Sequence, residues 1–352
     1  MSLETILNKL IELDGSDLHL LAGEKPKVRV DGKLRDLDEY ERLTDEDVRK
    51  YCLPVLTEQE DNIFKTKNEL DFMVETTNSR FRANYYIALN EMGAAFRVIP
   101  TEIPSIDELK APLIYKELIK REKGLILVTG PTGSGKSTTL ASMLNEINMT
   151  ETKHILTVED PVEFVHPNKS SLFSQRSVGT DTLSFANALK SALRQDPDII
   201  LIGEMRDKET IKAAITAAET GHLVFSTLHT NSSIATINRI LDTFDADEQP
   251  QVRAQLSSTL VASISQALLP KIPKGRVAVP EILINTPAVA NLIREGKIHQ
   301  LYSQMQIGQV RTGMQTQTQV LTDLVKKGVI EKNDALKFST NQEELKKTIG
   351  VL

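Results

Sequence analysis

The chain has 352 residues, too many for one ordinary core, so two or more domains are expected. Apolar residues make up 40% and charged residues 26%, a mix that excludes a disordered chain. A formal net charge of −6 counts against a dedicated nucleic-acid binder, and the single cysteine, Cys52, excludes an internal disulfide and a four-cysteine zinc site. The opening Met1-Ser2-Leu3-Glu4 has no basic-then-apolar signal pattern, and no apolar run approaches the ~20 residues that span a bilayer. The expectation is a cytoplasmic protein, any membrane association of which goes through partners.

In chain order, residues 1–99 read as a small α+β domain. The spacing of Leu3, Ile6, Leu7, Leu10 and Ile11 predicts a helix ended by Asp14-Gly15. A hairpin is expected around Asp31-Gly32, between Val28-Arg29-Val30 and Lys33-Leu34. Thr44 followed by Asp47 reads as the cap of a helix running to Leu53, and strands are expected at 70–74, 81–88 and 94–99. Residues 100–112 hold three prolines and no clear period, which reads as a flexible interdomain linker. From 113 to 275, aliphatic runs at 125–129, 154–158, 199–202 and 223–227 alternate with helical patterns. Runs apolar on both faces belong in a parallel sheet covered by helices, a doubly wound α/β core. Residues 276–352 read as mostly helical after one more strand pair around 277–284.

The string Gly130-Pro131-Thr132-Gly133-Ser134-Gly135-Lys136-Ser137 matches the phosphate-loop pattern in full, between a buried strand and a helix that continues through Thr138. Glycines let backbone N–H groups close around phosphate oxygens at the positive end of a helix. Thr132, Gly133, Ser134, Gly135, Lys136, Ser137 and Thr138 are therefore the expected ATP contacts, with Lys136 on the β and γ phosphates and the Ser137 hydroxyl placed for Mg²⁺. Hydrolysis also needs a carboxylate that orients water, at the end of a neighbouring strand. The apolar run 199–202 delivers Glu204 to that edge as general base or water-orienting residue. In Glu159-Asp160-Pro161-Val162-Glu163, crowded carboxylates call for a cation, and Glu163 or Glu159 is expected to contact Mg²⁺ or its water. His222 and His229 bracket the run 223–228, and His229 is the candidate γ-phosphate sensor. Arg80, Arg82 and Arg97 read as solvated strand residues, while Arg194, Arg206 and Arg239 are open as phosphate or carboxylate partners.

Taken together, these strings resemble the PilT family of type IV pilus retraction ATPases, within the secretion-ATPase superfamily. The resemblance rests on SDLHL at 16–20, the phosphate loop, ILTVEDPVEFVH at 155–166, LRQDPDIILIGEMRD at 193–207 and TGHLVFSTLHTN at 220–231. Residues 288–295 match a retraction signature in which Ala290 replaces the family's arginine, and Asn90-Glu91 stand where another arginine is common. The resemblance implies a PAS-like α+β N-terminal domain joined to a RecA-like P-loop ATPase core with a helical C-terminal region. It implies ATP and Mg²⁺ as cofactors and a homohexamer driving pilus retraction and twitching motility. It implies no nucleic-acid partner, but an inner-membrane platform protein of the PilC kind and a second retraction ATPase. By similarity Glu204 is the catalytic glutamate, Glu163 the Asp-box acid and metal contact, and His222 and His229 the His-box pair, His222 on the nucleotide. Arg82 and Arg97 then reach a nucleotide on a neighbouring subunit. The alternatives are an accessory ATPase of the PilU kind, a RecA-like nucleic-acid translocase and a nucleotide-gated scaffold.

Overall fold

A helix over Leu3–Glu12 opens the chain, its N-terminus capped by the Ser2 hydroxyl accepting from the Thr5 N–H. This computed structural model describes residues 2–30, 32–77, 79–99, 102–307 and 309–350. The expected turn residue Asp31 and linker residues Pro100 and Thr101 lie outside the described residues. The chain divides into two units, Met1–Glu102 and Ile103–Leu352.

In the first unit Leu3, Ile6, Leu7 and Leu10 face the core, and Ile11 remains exposed. Six strands follow, β1 (Asp17–Leu21), β2 (Lys27–Val30), β3 (Lys33–Asp36), β4 (Glu69–Glu75), β5 (Arg80–Ala88) and β6 (Glu91–Ile99). They form an antiparallel sheet in the order β3-β2-β1-β6-β5-β4. The expected Thr44–Asp47 pair closes a capping box on helix Asp45–Cys52, and Thr57 with Glu60 does the same for Glu58–Lys67. Period-two alternation along β5 sends Phe81, Ala83 and Tyr85 inward and Arg80, Arg82 and Asn84 outward. Tyr85 meets Phe72 and Phe96 edge-on at 4.7 and 5.8 Å, and its hydroxyl donates to the Cys52 carbonyl. Burial pushes the Cys52 thiol up to about 12, so it packs as a small apolar group.

The second unit begins earlier than a linker ending at Pro112 allows. Ile106 is buried in one cluster with Tyr115, Leu118 and Ile126. Ser105 and Glu108 exchange side-chain and backbone hydrogen bonds around a single turn. Prolines interrupt regular structure here without preventing packing, so 103–112 is an ordered part of this unit rather than a flexible tether.

Seven strands form its sheet: β7 (Gly124–Thr129), β8 (His154–Glu159), β9 (Leu172–Ser177), β10 (Ile199–Ile202), β11 (Leu223–Leu228), β12 (Leu260–Pro270) and β13 (Arg276–Ile284). Their order is β13-β12-β7-β11-β10-β8-β9, parallel throughout except for the β12–β13 pair. Leu125 and Leu127 of β7 enter one core cluster while Ile126 and Val128 enter another, as a sheet covered on both faces requires. A boundary at 275/276 separates β12 from β13, which pair continuously from Ala262 opposite Ile284 to Pro270 opposite Arg276. The C-terminal helices likewise pack on these strands, with Leu321 and Leu345 in one cluster with Leu269 and Val279.

Ile106→Ala should destabilise the protein by about 2–4 kcal/mol in chemical denaturation, the cost of a cavity in a packed core. An unchanged midpoint would mean that 103–112 is a free tether.

Candidate active site

Parallel strands point their carboxyl ends one way, so the segments that leave those ends meet at one sheet edge. After β7 comes the phosphate loop, after β8 the acidic segment, after β10 Glu204 and after β11 His229. The pairing register keeps these ends level: Val158 lies opposite Ile202, and Ile202 opposite Ser226.

The loop is shaped by its neighbours. Gly130 has φ 142°, and a Cβ there would lie 2.2 Å from the Gln266 carbonyl, so no other residue fits. Gly135 precedes the helix Lys136–Thr150, whose N-terminal N–H groups face the loop. Lys136 Nζ donates to the Gly130 and Pro131 carbonyls at 2.9 and 3.1 Å. Its pKa is lowered by burial, against the opposing charges of Glu204 and Glu163.

Glu204 is bound from two sides, by Arg206 Nη2 at 2.8 Å and by His229 Nε2 at 3.2 Å. Burial alone would raise its carboxyl pKa. The Arg206 hydrogen bond and the nearby positive charge outweigh that, and hold it below the usual range. The backbone leading to it is fixed as well, since Thr227 Oγ1 donates to the Gly203 carbonyl at 2.6 Å. A Cβ on Gly203 would come within 3.1 Å of Glu159 Cα, which lets the two strand ends approach.

The structure separates the two acidic candidates. Glu163 is exposed, whereas Glu159 is half-buried, accepts from the Glu163 N–H at 3.4 Å, and is pushed up to about 7 by burial. Among the described residues no group of three His, Cys, Asp or Glu side chains is arranged to hold a metal by itself. An ion such as Mg²⁺ takes one or two protein ligands and completes its shell with phosphate oxygens and water. Ser137, in the first helical turn, and the exposed Glu163 are the residues present for it. His166, at the end of the acidic segment, stacks on Phe173 and is driven to about 4 by burial, so it is a neutral packing residue.

The two histidines part company. His229 stands at the carboxyl end of β11 on Glu204, but His222 precedes that strand and its carbonyl accepts from Gly124, the first residue of β7. Six residues of strand, roughly 20 Å, separate it from the phosphate loop of its own unit. His222 Nδ1 lies 2.9 Å from the Ala217 carbonyl, closing the C-terminus of helix Lys208–Glu219.

Among the open arginines, Arg206 is the Glu204 partner, while Arg194 and Arg239 form no ion pair among the described residues. Arg82 and Arg97 belong to the first unit, where they face each other across β5 and β6. Arg97 Nε donates to Asp17 Oδ1 at 2.8 Å and Arg82 lies 3.8 Å from Asp71, both guanidinium groups remaining solvent-accessible.

Sequence reasoning missed three contributors. Buried hydroxyls tie the end of β7 to the loop after His229: Thr129 meets Thr236 at 3.2 Å, and Thr236 meets Thr230 at 2.6 Å. Gln266 on β12 bonds to Ser134 and Thr139 of the phosphate loop and its helix. Its only trace in the sequence is the largest of four polar residues within the mostly apolar stretch 259–269. Beside the loop opens a cavity of about 1160 Å³, wholly within the second unit, lined by Tyr115, Gly135, Thr138, Leu268, Arg276 and Gln315 among others.

A phosphate cradle, a braced carboxylate and a histidine on one edge of a doubly wound sheet define a RecA-like P-loop nucleotide hydrolase. A family model described as "Type II/IV secretion system protein" matches residues 2–274. The chain is 50% identical to "Type IV pilus retractation ATPase PilT" of Pseudomonas aeruginosa, over 91% of this chain and 93% of that protein. It is 40% identical to "Type IV pilus ATPase PilU" of the same organism, over 98% and 91%. A solved structure of the pilus retraction motor PilT with bound ADP superposes with a TM-score of 0.93 at 48% identity, covering 99% of each chain. The chain belongs to the type II/IV secretion system protein family, in its PilT branch.

Arg206→Ala removes a cation from Glu204, so its carboxyl pKa rises and the acid limb of the pH–rate profile should move to higher pH. An unmoved limb would mean that Arg206 does not act on Glu204. Glu159 is held above the ordinary carboxyl value of 4.5, so folded stability should fall as pH rises from there towards 7. Glu159→Gln should flatten that slope and raise Tm by a few degrees at pH 8; a parallel pH dependence in the variant would contradict this.

Proposed function

We propose that this protein is a motor ATPase that hydrolyses ATP to withdraw type IV pili, driving twitching motility. The observation that carries the reading is that the phosphate loop, the acidic segment and Glu204 leave the sheet at one edge, with His229 on Glu204. Backbone N–H groups of Thr132 to Thr138 and the Lys136 ammonium bind the phosphates, and the adjoining cavity takes the nucleoside. Ser137 would hold Mg²⁺, which would supply positive charge to the phosphate oxygens. Glu204, held as a carboxylate by Arg206, orients the attacking water and accepts its proton while His229 contacts the γ-phosphate. Glu163, exposed at the acidic segment, would be the carboxylate available to that ion or its waters.

Arg82 and Arg97 complete the site from a neighbouring subunit of a homohexamer, where they stabilise the charge that develops on the transferred phosphoryl group. Their exposure on the outer face of the first unit's sheet supports this role. The partners in this reading are an inner-membrane platform protein of the PilC kind and a second retraction ATPase. The protein works in the cytoplasm against the inner membrane through them. No described helix is long and apolar enough to cross a membrane. The higher identity to PilT than to PilU favours the principal motor over an accessory ATPase.

Deleting the gene should leave cells piliated but unable to twitch, whereas bald cells would mean an assembly role. Rings mixed from Arg97→Ala and Lys136→Ala subunits should recover part of the turnover that either variant lacks alone. Turnover that stays at the level of the pure variants at every mixing ratio would rule out a site shared between subunits.

A further inference from the structure

β12 outruns β7 on the side of the phosphate loop. Ser265 pairs with Thr129, the last residue of β7, so Gln266 stands beside the loop itself. Its side chain is buried at 4% exposure, yet it belongs neither to the apolar core nor to the groups that face the phosphates. Nε2 donates to the Ser134 carbonyl at 2.7 Å, and Oε1 accepts from Thr139 Oγ1 at 2.9 Å. The same residue's backbone carbonyl closes the space at Gly130. Gln266 therefore touches the loop at its start, at its crown and in the first turn of the following helix.

The orientation of the carboxamide is settled by its partners. A backbone carbonyl only accepts, so the NH₂ group must face Ser134, which leaves Oε1 for the Thr139 hydroxyl. In a trans peptide the C=O of one residue and the N–H of the next point in opposite directions. A bond that draws the Ser134 carbonyl towards β12 therefore turns the Gly135 N–H away from β12. That N–H is among the donors a phosphate loop presents to its ligand.

We propose that Gln266 is a positioning residue for nucleotide binding: its carboxamide holds the Ser134–Gly135 peptide in the orientation that presents the Gly135 N–H to phosphate oxygens. Thr139 keeps the carboxamide from turning over. Without the donor, the buried Ser134 carbonyl is left unpaired, and rotation of this peptide relieves it at the expense of the phosphate cradle.

The test compares three variants of the full chain. Gln266→Met keeps the volume and removes both hydrogen bonds. Gln266→Glu keeps the acceptor for Thr139 and loses the donor. Thr139→Val removes the hydroxyl that orients the amide. Titration with fluorescent N-methylanthraniloyl-ADP should show binding roughly tenfold or more weaker in both Gln266 variants. It should be weaker by a smaller factor in Thr139→Val. The KM for ATP should rise in parallel, with kcat at saturating ATP within about threefold of wild type. Lys136→Ala, which loses binding in the same titration, shows that the assay reads the phosphate loop. A purely structural role would lower the Tm of the nucleotide-free variants and leave the affinity for nucleotide unchanged. That result in a folded Gln266 variant overturns the proposal. Should neither Gln266 variant fold, an unchanged affinity in Thr139→Val overturns it.

Discussion

The site depends on one constraint, the level register of β7, β11, β10 and β8. Because these strands run parallel, the phosphate loop, His229, Glu204 and the acidic segment leave the sheet at the same edge. A slip of one residue in any pairing would exchange that strand's side chains between two separately packed cores. The register is thus protected by the same burial that holds the core together: Ile126, Val128, Leu156 and Ile200 are all fully enclosed. Catalytic placement requires no separate stabilisation at this level, since it results from packing the sheet correctly.

Hydrogen bonds behind the site then fix the side chains. Thr227 and Gly203 set the backbone before Glu204, and Thr129, Thr236 and Thr230 link the loop strand to the His229 segment. Glu281 extends this framework into the C-terminal helices. It is buried, with its carboxyl pushed up by burial despite the two backbone donors, and it accepts from the first N–H of two helices, Ser233 at 2.8 Å and Gln317 at 3.4 Å. One carboxylate thereby joins the helix after the His229 loop to the first of the late C-terminal helices.

Much of this was legible from the chain alone, for identifiable reasons. The phosphate loop, Glu204 and His229 each come after a short aliphatic run, and such runs announce both a buried strand and the direction in which it ends. β12 escaped notice because helix Gln249–Thr259 passes into it without a glycine or proline to mark the change. β9 escaped because Leu172–Ser177 is a half-polar edge strand with no aliphatic run. The linker reading gave too much weight to proline and too little to Ile106, a single apolar residue with a place to go. His222 is joined to His229 by the shared His-box string, and the structure places the two at opposite ends of β11. Gln266 and Thr236 act through contacts across more than a hundred residues, which no local pattern records.

In the proposed mechanism binding and hydrolysis are separately built on this edge, the loop supplying the first and the braced carboxylate the second. The decisive measurement is ATP affinity and single-turnover hydrolysis on the same preparation of Glu204→Gln. The predicted result is ATP binding within a few-fold of wild type, with the hydrolysis rate reduced by at least a hundredfold. Hydrolysis at the wild-type rate would show that Glu204 is not the water-orienting group and would contradict this division of labour.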